Sequence, residues 1–279
     1  MGYIYRAGDS PTVTETRDLV RSRREGPIAI LAIDNPPVNV ISSSVLDALT
    51  RRLVEIGSDL DVRAVVLSSA AEKAFGAGAD IREMANLDPA QAAGHGARGQ
   101  AATRAIERLP LPVIAAVHGA CLGGGCEIAL ACDFVIASED ARFGQPEIDL
   151  GILPGWGGTQ RLPRRIGAAR ARQWIMTGRS VSAREAQAQG LVLEVVPRTD
   201  LEAAAIALAR ELAAKSATAL AAAKRMLERG IDRGLDGGLA FELDLWKELF
   251  GTPDQREGLR AFLEKRPWTP APRRRAGPP

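Results

Sequence analysis

The first half of the chain alternates short apolar runs, rich in β-branched residues, with longer stretches of helical periodicity. Val45–Leu60 carries apolar residues at helical spacing, and Ala97–Leu109 forms a second such stretch that Pro110 ends. Continuous apolar runs are typical of strands buried on both faces of a parallel sheet. We therefore predict an α/β fold with helical crossovers. The predicted strands are Ile28–Ile33, Ala64–Leu67, Val113–Val117 and Phe134–Ala137.

The pattern changes near residue 197, after a late apolar run at Leu191–Val196. Beyond it the sequence is almost purely helical in periodicity, with predicted helices at Leu201–Ala214, Ala217–Arg229, Leu235–Leu249 and Pro253–Leu263. Helices with few neighbours in their own chain commonly pack on other subunits, so we expect an oligomer. The predicted divisions are a flexible extension over 1–25, an α/β core over 26–197, a helical region over 198–266 and a disordered tail over 267–279.

Charge and cysteine content narrow the function classes. Lys and Arg together number 36 and Asp and Glu 34, and this balance gives no basis for nucleic-acid binding. An odd cysteine count (Cys121, Cys126 and Cys132) argues against a disulfide framework and for a reducing, cytoplasmic location. The cysteine spacing lacks paired C-x2-C motifs, and neither His95 nor His118 completes a set, so no metal is expected. No apolar run approaches the roughly 20 residues that span a bilayer.

Three glycine-bearing turns are candidate binding elements: Phe75–Asp80 (FGAGAD), Leu122–Glu127 (LGGGCE) and Pro154–Thr159 (PGWGGT). Glycine lets backbone approach a ligand closely, and free N–H groups at a helix start bind anions or developing oxyanions. None of the turns fits a dinucleotide fingerprint, a P-loop or a serine nucleophile elbow. The turns therefore indicate oxyanion contacts without a dinucleotide fold, or, taken singly, tight turns needed for packing.

Two carboxylates lie beside these turns. Glu127 is the only charge in the apolar run Cys126–Ala131, where an unpaired charge is costly unless it serves a site. Glu147 has apolar neighbours in FGQPEI. Such a pair can position one water and move its protons. The alternatives are a helix-start charge for Glu127 and a solvated loop for Glu147.

Three further side chains adjoin the turns. His118 directly follows a predicted strand, and we expect it to be a hydrogen-bonded structural residue. Asp133 is expected to cap a helix or pair with a cation. Trp156 stands inside the third turn, where it lines a pocket or packs on the glycines.

At these residues the sequence resembles the crotonase superfamily, over roughly residues 25 to 266. The stretches that carry the resemblance are Asn35–Asn39 (NPPVN), Phe75–Met84 (FGAGADIREM), His118–Asp133 (HGACLGGGCEIALACD) and Phe143–Pro163 (FGQPEIDLGILPGWGGTQRLP). The resemblance implies an α/β crotonase-type spiral of ββα repeats. It also implies a C-terminal helical region that trimerises, often into a dimer of trimers. The implied substrates are acyl-CoA thioesters, with no cofactor beyond the coenzyme A of the substrate.

The resemblance also implies roles for individual residues. The backbone N–H groups of Ala77 and Gly124 would form the oxyanion hole, and Glu127 and Glu147 would hold the attacking water. Glu127 would act as the base and Glu147 would donate a proton to the α-carbon. Because both glutamates are present, the resemblance favours an enoyl-CoA hydratase over other members of the superfamily.

Residues expected to contact the substrate, on the same resemblance, are Gly78, Asp80, Ile81, Gly123, Gly155, Trp156 and Lys265. Lys265 is expected to reach a phosphate of coenzyme A, within its own subunit or across a subunit boundary. Trp156 stands where many members have alanine, so its bulk is expected to restrict the acyl pocket. Residues 85–100 shape the acyl site in relatives and vary there, so the sequence leaves the acyl length open.

Two alternative functions remain at this stage. One lies within the superfamily: a double-bond isomerase, or a pathway-specific hydratase or lyase. The other is a non-catalytic relative that binds RNA or another partner. The glutamate pair speaks against a pure isomerase, and the balanced charge speaks against RNA binding.

Overall fold

The computed structural model describes residues 18–273. Within them the chain forms two sheets surrounded by helices. The strands are β1 Val20–Glu25, β2 Ile28–Ile33, β3 Ala64–Ser69, β4 Ala74–Gly76, β5 Val113–Val117, β6 Ala120–Leu122, β7 Phe134–Ser138, β8 Arg142–Gly144, β9 Ser180–Ser182 and β10 Glu194–Val196. The helices are α1 Ser43–Ser58, α2 Ile81–Met84, α3 Pro89–Arg108, α4 Gly124–Ala131, α5 Gly158–Ile166, α6 Ala168–Thr177, α7 Ala183–Ala188, α8 Leu201–Ala213, α9 Ala217–Arg229, α10 Gly234–Leu249 and α11 Pro253–Leu263.

The chain alternates between the two sheets. The larger sheet has the order β1-β2-β3-β5-β7-β10 and the smaller one β4-β6-β8-β9. In three successive units a strand of the larger sheet is followed by a strand of the smaller sheet and then by helix: β3-β4-α2-α3, β5-β6-α4 and β7-β8-α5. Neighbouring strands of successive units pair in parallel, such as β3 with β5 and β4 with β6. This is the predicted α/β spiral of ββα repeats.

The central strands of the larger sheet are buried on both faces, as their apolar sequences predict. On strand β2, Leu31 and Ile33 point into the main core, while Ile28 and Ile30 pack under helix α8. Helix α8 covers this outer face with Ala205 and other small apolar residues. The helical region therefore begins as a layer on the sheet.

The predicted start of α3 at Ala97 is wrong, because the helix begins at Pro89. The side chain of Asp88 accepts a hydrogen bond from the backbone N–H of Gln91, and the Gln91 side chain bonds back to Asp88, which forms a capping box. Glycines within the first turns, at Gly94 and Gly96, mask the helical pattern in the sequence.

The described parts of the predicted extension and tail are ordered against the core. Val20–Glu25 forms the edge strand β1, antiparallel to β2. Its charged residues mask a strand in the sequence, and such charges are usual on edge strands, which face solvent. In the tail, the N–H of Ala271 donates to Asp254 at 2.7 Å, and Arg273 donates to the Val62 carbonyl at 3.1 Å. The remainder of both predicted segments, 1–17 and 274–279, lies outside the described residues.

None of the helices between residues 18 and 273 combines the length and the apolar character needed to cross a bilayer. The longest, α3, has 20 residues, and its sequence includes three arginines and a glutamate.

Candidate active site

The start of helix α4 is pressed against two other turns, and glycine permits both contacts. A Cβ atom added at Gly125 would lie 2.2 Å from the carbonyl oxygen of Gly76, and one added at Gly124 would lie 2.2 Å from the indole of Trp156. Gly123, with a φ of +49°, turns the chain into the helix. The N–H groups of a first helical turn lack partners within the helix, and the helix dipole makes this end electropositive. The three predicted glycine turns thus meet at one helix start.

The N–H of Ala77 is already engaged, so the prediction that it serves the oxyanion hole is wrong. It donates to the carbonyl oxygens of Val38 at 3.1 Å and Asn39 at 3.3 Å. Backbone pairing between this turn and the segment before α1 is the cause. The sequence could not reveal this pairing, because the partners lie almost 40 residues apart.

Ala79, which the sequence did not single out, is the other alanine of this turn. It forms a parallel bridge with Ile41, and the bridge uses the Gly78 carbonyl and the Asp80 N–H. The N–H of Ala79 itself therefore points away from Ile41, on the opposite side of the strand. Gly78, with a φ of +107°, supplies the turn between the two alanines. The motif has one alanine on each side of Gly78. Only the backbone pairing in the structure shows which alanine has its N–H engaged by a neighbouring segment.

Glu127 lies on α4 and is 2 % exposed. One of its carboxylate oxygens, Oε1, accepts hydrogen bonds from the N–H groups of Trp156 at 2.8 Å and Gly158 at 2.7 Å. Burial raises the pKa of Glu127 above its ordinary value, while these N–H groups and the charge of Arg161 oppose that rise. Glu127 lies in the first turn of α4, as the alternative of a helix-start charge requires, but it is buried and bonded to the Trp156 loop.

The loop that holds Glu127 is itself anchored. The Trp156 carbonyl accepts from Thr103 Oγ1 of α3 at 3.0 Å and from Arg161 Nη1 of α5 at 2.8 Å. Arg161 also pairs with Glu107 through two hydrogen bonds of 2.5 and 2.7 Å. Because this carbonyl is fixed from two helices, the N–H groups of the loop stay directed at the carboxylate.

Glu147 reaches the same helix start from a 3-10 turn, Pro146–Leu150. Its carboxylate oxygen Oε1 would lie 3.0 Å from a Cβ atom added at Gly123. With the amide nitrogen of Gln145 facing it, Gln145 donates to the two carboxylate oxygens at 3.1 and 3.3 Å. Burial raises the pKa of Glu147 to about 7, and the negative charge of Glu127 adds to the rise. The structure thus brings both predicted glutamates to one site.

Some of the other predicted contact residues lie beside the carboxylates, and the rest lie at helix ends. Gly78, Gly123 and Trp156 lie beside the carboxylates, and the Gly155 carbonyl accepts from Gln100 Nε2 at 3.0 Å in the loop that holds Glu127. Asp80 caps α2, where its carboxylate accepts from the Arg82 N–H at 2.9 Å, and Ile81 is exposed at the start of that helix. Lys265 lies just past α11, in the C-terminal helical region.

Two neighbouring polar residues have structural partners, as predicted. His118 Nε2 lies 2.8 Å from the Ala71 carbonyl oxygen, and burial lowers the pKa of its imidazole. Asp133 Oδ2 accepts from Lys224 Nζ at 2.8 Å and from the Val113 N–H at 2.7 Å. Both residues are therefore assigned to the scaffold.

Known proteins with similar sequences and folds carry related names. A protein named short-chain-enoyl-CoA hydratase from Clostridium acetobutylicum is 43% identical over 244 residues, covering 87% of this chain and 94% of the relative. A crotonyl-CoA hydratase from Syntrophomonas wolfei is 40% identical over 244 residues, covering 87% and 94%. The crystal structure of an enoyl-CoA hydratase from Bacillus anthracis superposes with a TM-score of 0.85 at 40% identity, covering 91% of this chain and 99% of that one.

The sequence model of one family, described as enoyl-CoA hydratase/isomerase, matches residues 23–271. That range includes the three glycine turns and both glutamates, so the match extends to the site as well as to the fold. On both grounds the chain belongs to the enoyl-CoA hydratase/isomerase family.

Proposed function

We propose that this protein is an enoyl-CoA hydratase, which adds water across the 2,3-double bond of an enoyl-CoA thioester to give a 3-hydroxyacyl-CoA. The observation that carries the proposal is the pair of carboxylates at one helix start. Glu127 is held by backbone N–H groups that favour its ionised form. Glu147 has a pKa of about 7 and is therefore substantially protonated at neutral pH. Burial raises the pKa of both carboxyls, and the N–H groups that oppose this rise at Glu127 suit it to the role of base and Glu147 to that of acid.

The N–H groups of Gly124 and Ala79 are proposed to hold the thioester oxygen. Attack at C3 moves the electrons of the double bond toward that oxygen, where enolate charge develops. Donors fixed in advance, together with the positive end of α4, stabilise this charge more than they stabilise the neutral ground state. Removing one such donor typically lowers the rate on the order of 100-fold to 1,000-fold.

Proton transfers complete the addition. Ionised Glu127 takes a proton from water as the water oxygen bonds to C3, and protonated Glu147 gives its proton to C2 as the enolate collapses. The product gains one water, and the site returns to its starting state when Glu127 releases its proton and Glu147 regains one. Overall the substrate is neither oxidised nor reduced, so we propose no redox cofactor and no metal.

Assembly and location belong to the same proposal. The C-terminal helices expose large apolar side chains, among them Leu235, Leu239, Leu243, Trp246, Phe262 and Leu263. Large apolar side chains exposed in such number mark an interface, and we propose a trimer or a dimer of trimers. In such an assembly Lys265 would reach a phosphate of coenzyme A. The three free cysteines are compatible with the cytoplasm.

The test is hydration of crotonyl-CoA by the purified protein, followed as loss of the absorbance of the conjugated thioester. Mass spectrometry of the product should show the gain of one water. Turnover in the wild type that falls by at least about 100-fold in both Glu127→Gln and Glu147→Gln would support the reaction and both roles. A wild type that hydrates no short, long or branched enoyl-CoA would overturn the proposal.

An isomerase is the alternative within the family, because the matching family description includes both activities. An isomerase moves a proton between C2 and C4 and incorporates no water. Incubation with 3-butenoyl-CoA separates the two. Appearance of conjugated thioester absorbance faster than hydration of crotonyl-CoA would favour the isomerase.

A further inference from the structure

The indole of Trp156 is wedged between helices α3 and α4. A Cβ atom added at Gly99 of α3 would lie 2.2 Å from the pyrrole side of the indole, and one added at Gly124 of α4 would lie 2.2 Å from its benzene side. The side chain is 3 % exposed. The His95 ring covers a further edge, with its centroid 5.9 Å from that of the tryptophan. The indole therefore fills the space between the two helices.

Gly99 is present because of this wedge. It lies in the interior of α3, where glycine is among the least favourable residues and alanine the most favourable. An alanine there would place its Cβ inside the indole, and only movement of Trp156 could relieve the clash. The two residues are 57 positions apart in the sequence, and together they form one built feature.

The wedge adjoins the reacting end of the proposed substrate. Gly124 offers its N–H to the thioester oxygen in the proposed mechanism, and the N–H of Trp156 holds Glu127 at 2.8 Å. A 2-enoyl thioester is a planar conjugated unit, so C4 continues in the direction set by C1 and C3. An acyl chain that extended from this point between α3 and α4 would meet the indole, which lies against Gly124.

We propose that Trp156 closes the acyl pocket and limits the enzyme to short 2-enoyl groups. With the indole in place, α3 and α4 leave no room for an acyl chain between them. In a hydrophobic pocket each methylene that does not fit changes the rate by about 10-fold to 200-fold. The inference rests on the proposed hydratase function, because it takes an enoyl-CoA as the substrate.

The test compares kcat/KM for crotonyl-CoA and 2-octenoyl-CoA in four proteins: wild type, Trp156→Ala, Trp156→Phe and Trp174→Phe. Trp174 is a matched control, because it is buried at 0 % exposure in α6, on a different helix from the wedge. Its Nε1 donates to Gln189 at 3.0 Å. The Trp174→Phe variant therefore measures the effect of losing a buried indole that lies outside the wedge.

The wild type should favour crotonyl-CoA by at least about 100-fold. Trp156→Ala should raise the ratio of octenoyl to crotonyl turnover by at least about 10-fold, Trp156→Phe should raise it less, and Trp174→Phe should leave it unchanged. Equal turnover of both substrates by the wild type, or an unchanged ratio in Trp156→Ala, would overturn the inference. Hydration of crotonyl-CoA in those cases would leave the proposed function standing.

Binding of saturated analogues gives a second measurement that needs no turnover. Calorimetry with butyryl-CoA and octanoyl-CoA should show tighter binding of butyryl-CoA by the wild type and a reversal of this order in Trp156→Phe or Trp156→Ala. If Trp156→Ala fails to fold, the phenylalanine variant decides the question. If the wild type hydrates nothing, the proposed function fails, while the order of binding still reports the length of the pocket.

Discussion

The two segments that carry the carboxylates are built in opposite ways. Helix α4 is buried over its whole length, and its Glu127 accepts hydrogen bonds from two N–H groups of a loop anchored by Thr103 and Arg161. The turn Pro146–Leu150 has no buried residue, and its Glu147 has its own backbone N–H and the amide of Gln145 as donors. Burial raises the pKa of both carboxyls, but only the deeper one has several groups that oppose the rise.

The depth at which a carboxyl is buried therefore does not by itself determine its pKa. A carboxylate nearly removed from water keeps its charge accessible when N–H dipoles and a cation face it. At the half-buried Glu147, burial and the neighbouring charge of Glu127 together raise the pKa to about 7. The deeper Glu127 therefore suits the base, and the shallower Glu147 suits the acid.

The sharpest test of the comparison is Glu127→Gln. We expect kcat to fall by about 1,000-fold to 10,000-fold, because the base is lost while the glutamine oxygen still accepts both N–H groups. Burial disfavours the ionised form of Glu127, so this group makes the wild type lose stability as pH rises above the ordinary carboxyl pKa, and the neutral variant lacks that contribution. Melting temperatures at pH 6 and pH 8 should therefore show the variant at least as stable as the wild type. Residual activity within tenfold of the wild type would contradict the role.

Glu147→Gln should lower kcat less, by about 100-fold to 1,000-fold, because protonation of C2 can draw on water. The pH profile gives a signature of the acid. With a pKa of about 7, the protonated form of Glu147 is lost as pH rises, so kcat/KM of the wild type should fall above about pH 7. The variant should lack this alkaline limb in its residual activity. If kcat/KM of the variant still fell above about pH 7, that fall would belong to another titrating group.

Arg161→Met tests the anchoring of the loop and should have a smaller effect, about tenfold in kcat/KM. The arginine charge opposes the rise in the pKa of Glu127, so its removal should raise that pKa and move the acidic limb of the pH profile upward. Arg161→Lys is the matched control, since it keeps the charge and loses the paired hydrogen bonds to Glu107. If the acidic side of the pH profile of Arg161→Met coincided with that of the wild type, Arg161 would have a structural role only.

Lys224→Met should leave the chemistry nearly unchanged, because its buried charge serves the scaffold. Lys224 Nζ donates to Asp133 and to the carbonyls of Ile106 and Leu111. Breaking such a pair leaves a carboxylate without its cation and costs about 3–5 kcal/mol in free energy of unfolding. Urea unfolding should show this loss, while kcat per folded molecule stays within about twofold of the wild type. A large fall in kcat would mean that α9 affects the site.

Strands β2, β3, β5 and β7 and the long helices could be predicted from the sequence, whereas β1, helices α5 to α7 and most of the three-residue strands could not. Helix α1 and helices α8 to α11 lie within a few residues of their predicted bounds, because apolar periodicity persists over several turns. Strands β4, β6, β8 and β9 have three residues each and are too short to carry a period. They exist because the chain pairs there, and they form the sheet that brings the glycine turns together.

By itself the sequence determined which chemical groups the site contains: two glutamates, three glycine turns and the apolar strands that carry them. The tertiary structure decided how those groups act. It engaged the N–H of Ala77 and turned that of Ala79 away from its partner strand, and it gave the two carboxyls different surroundings. It also set Trp156 against Gly99. The physical reason is that N–H availability, pKa and free volume depend on neighbours in space, and these neighbours are distant in the sequence.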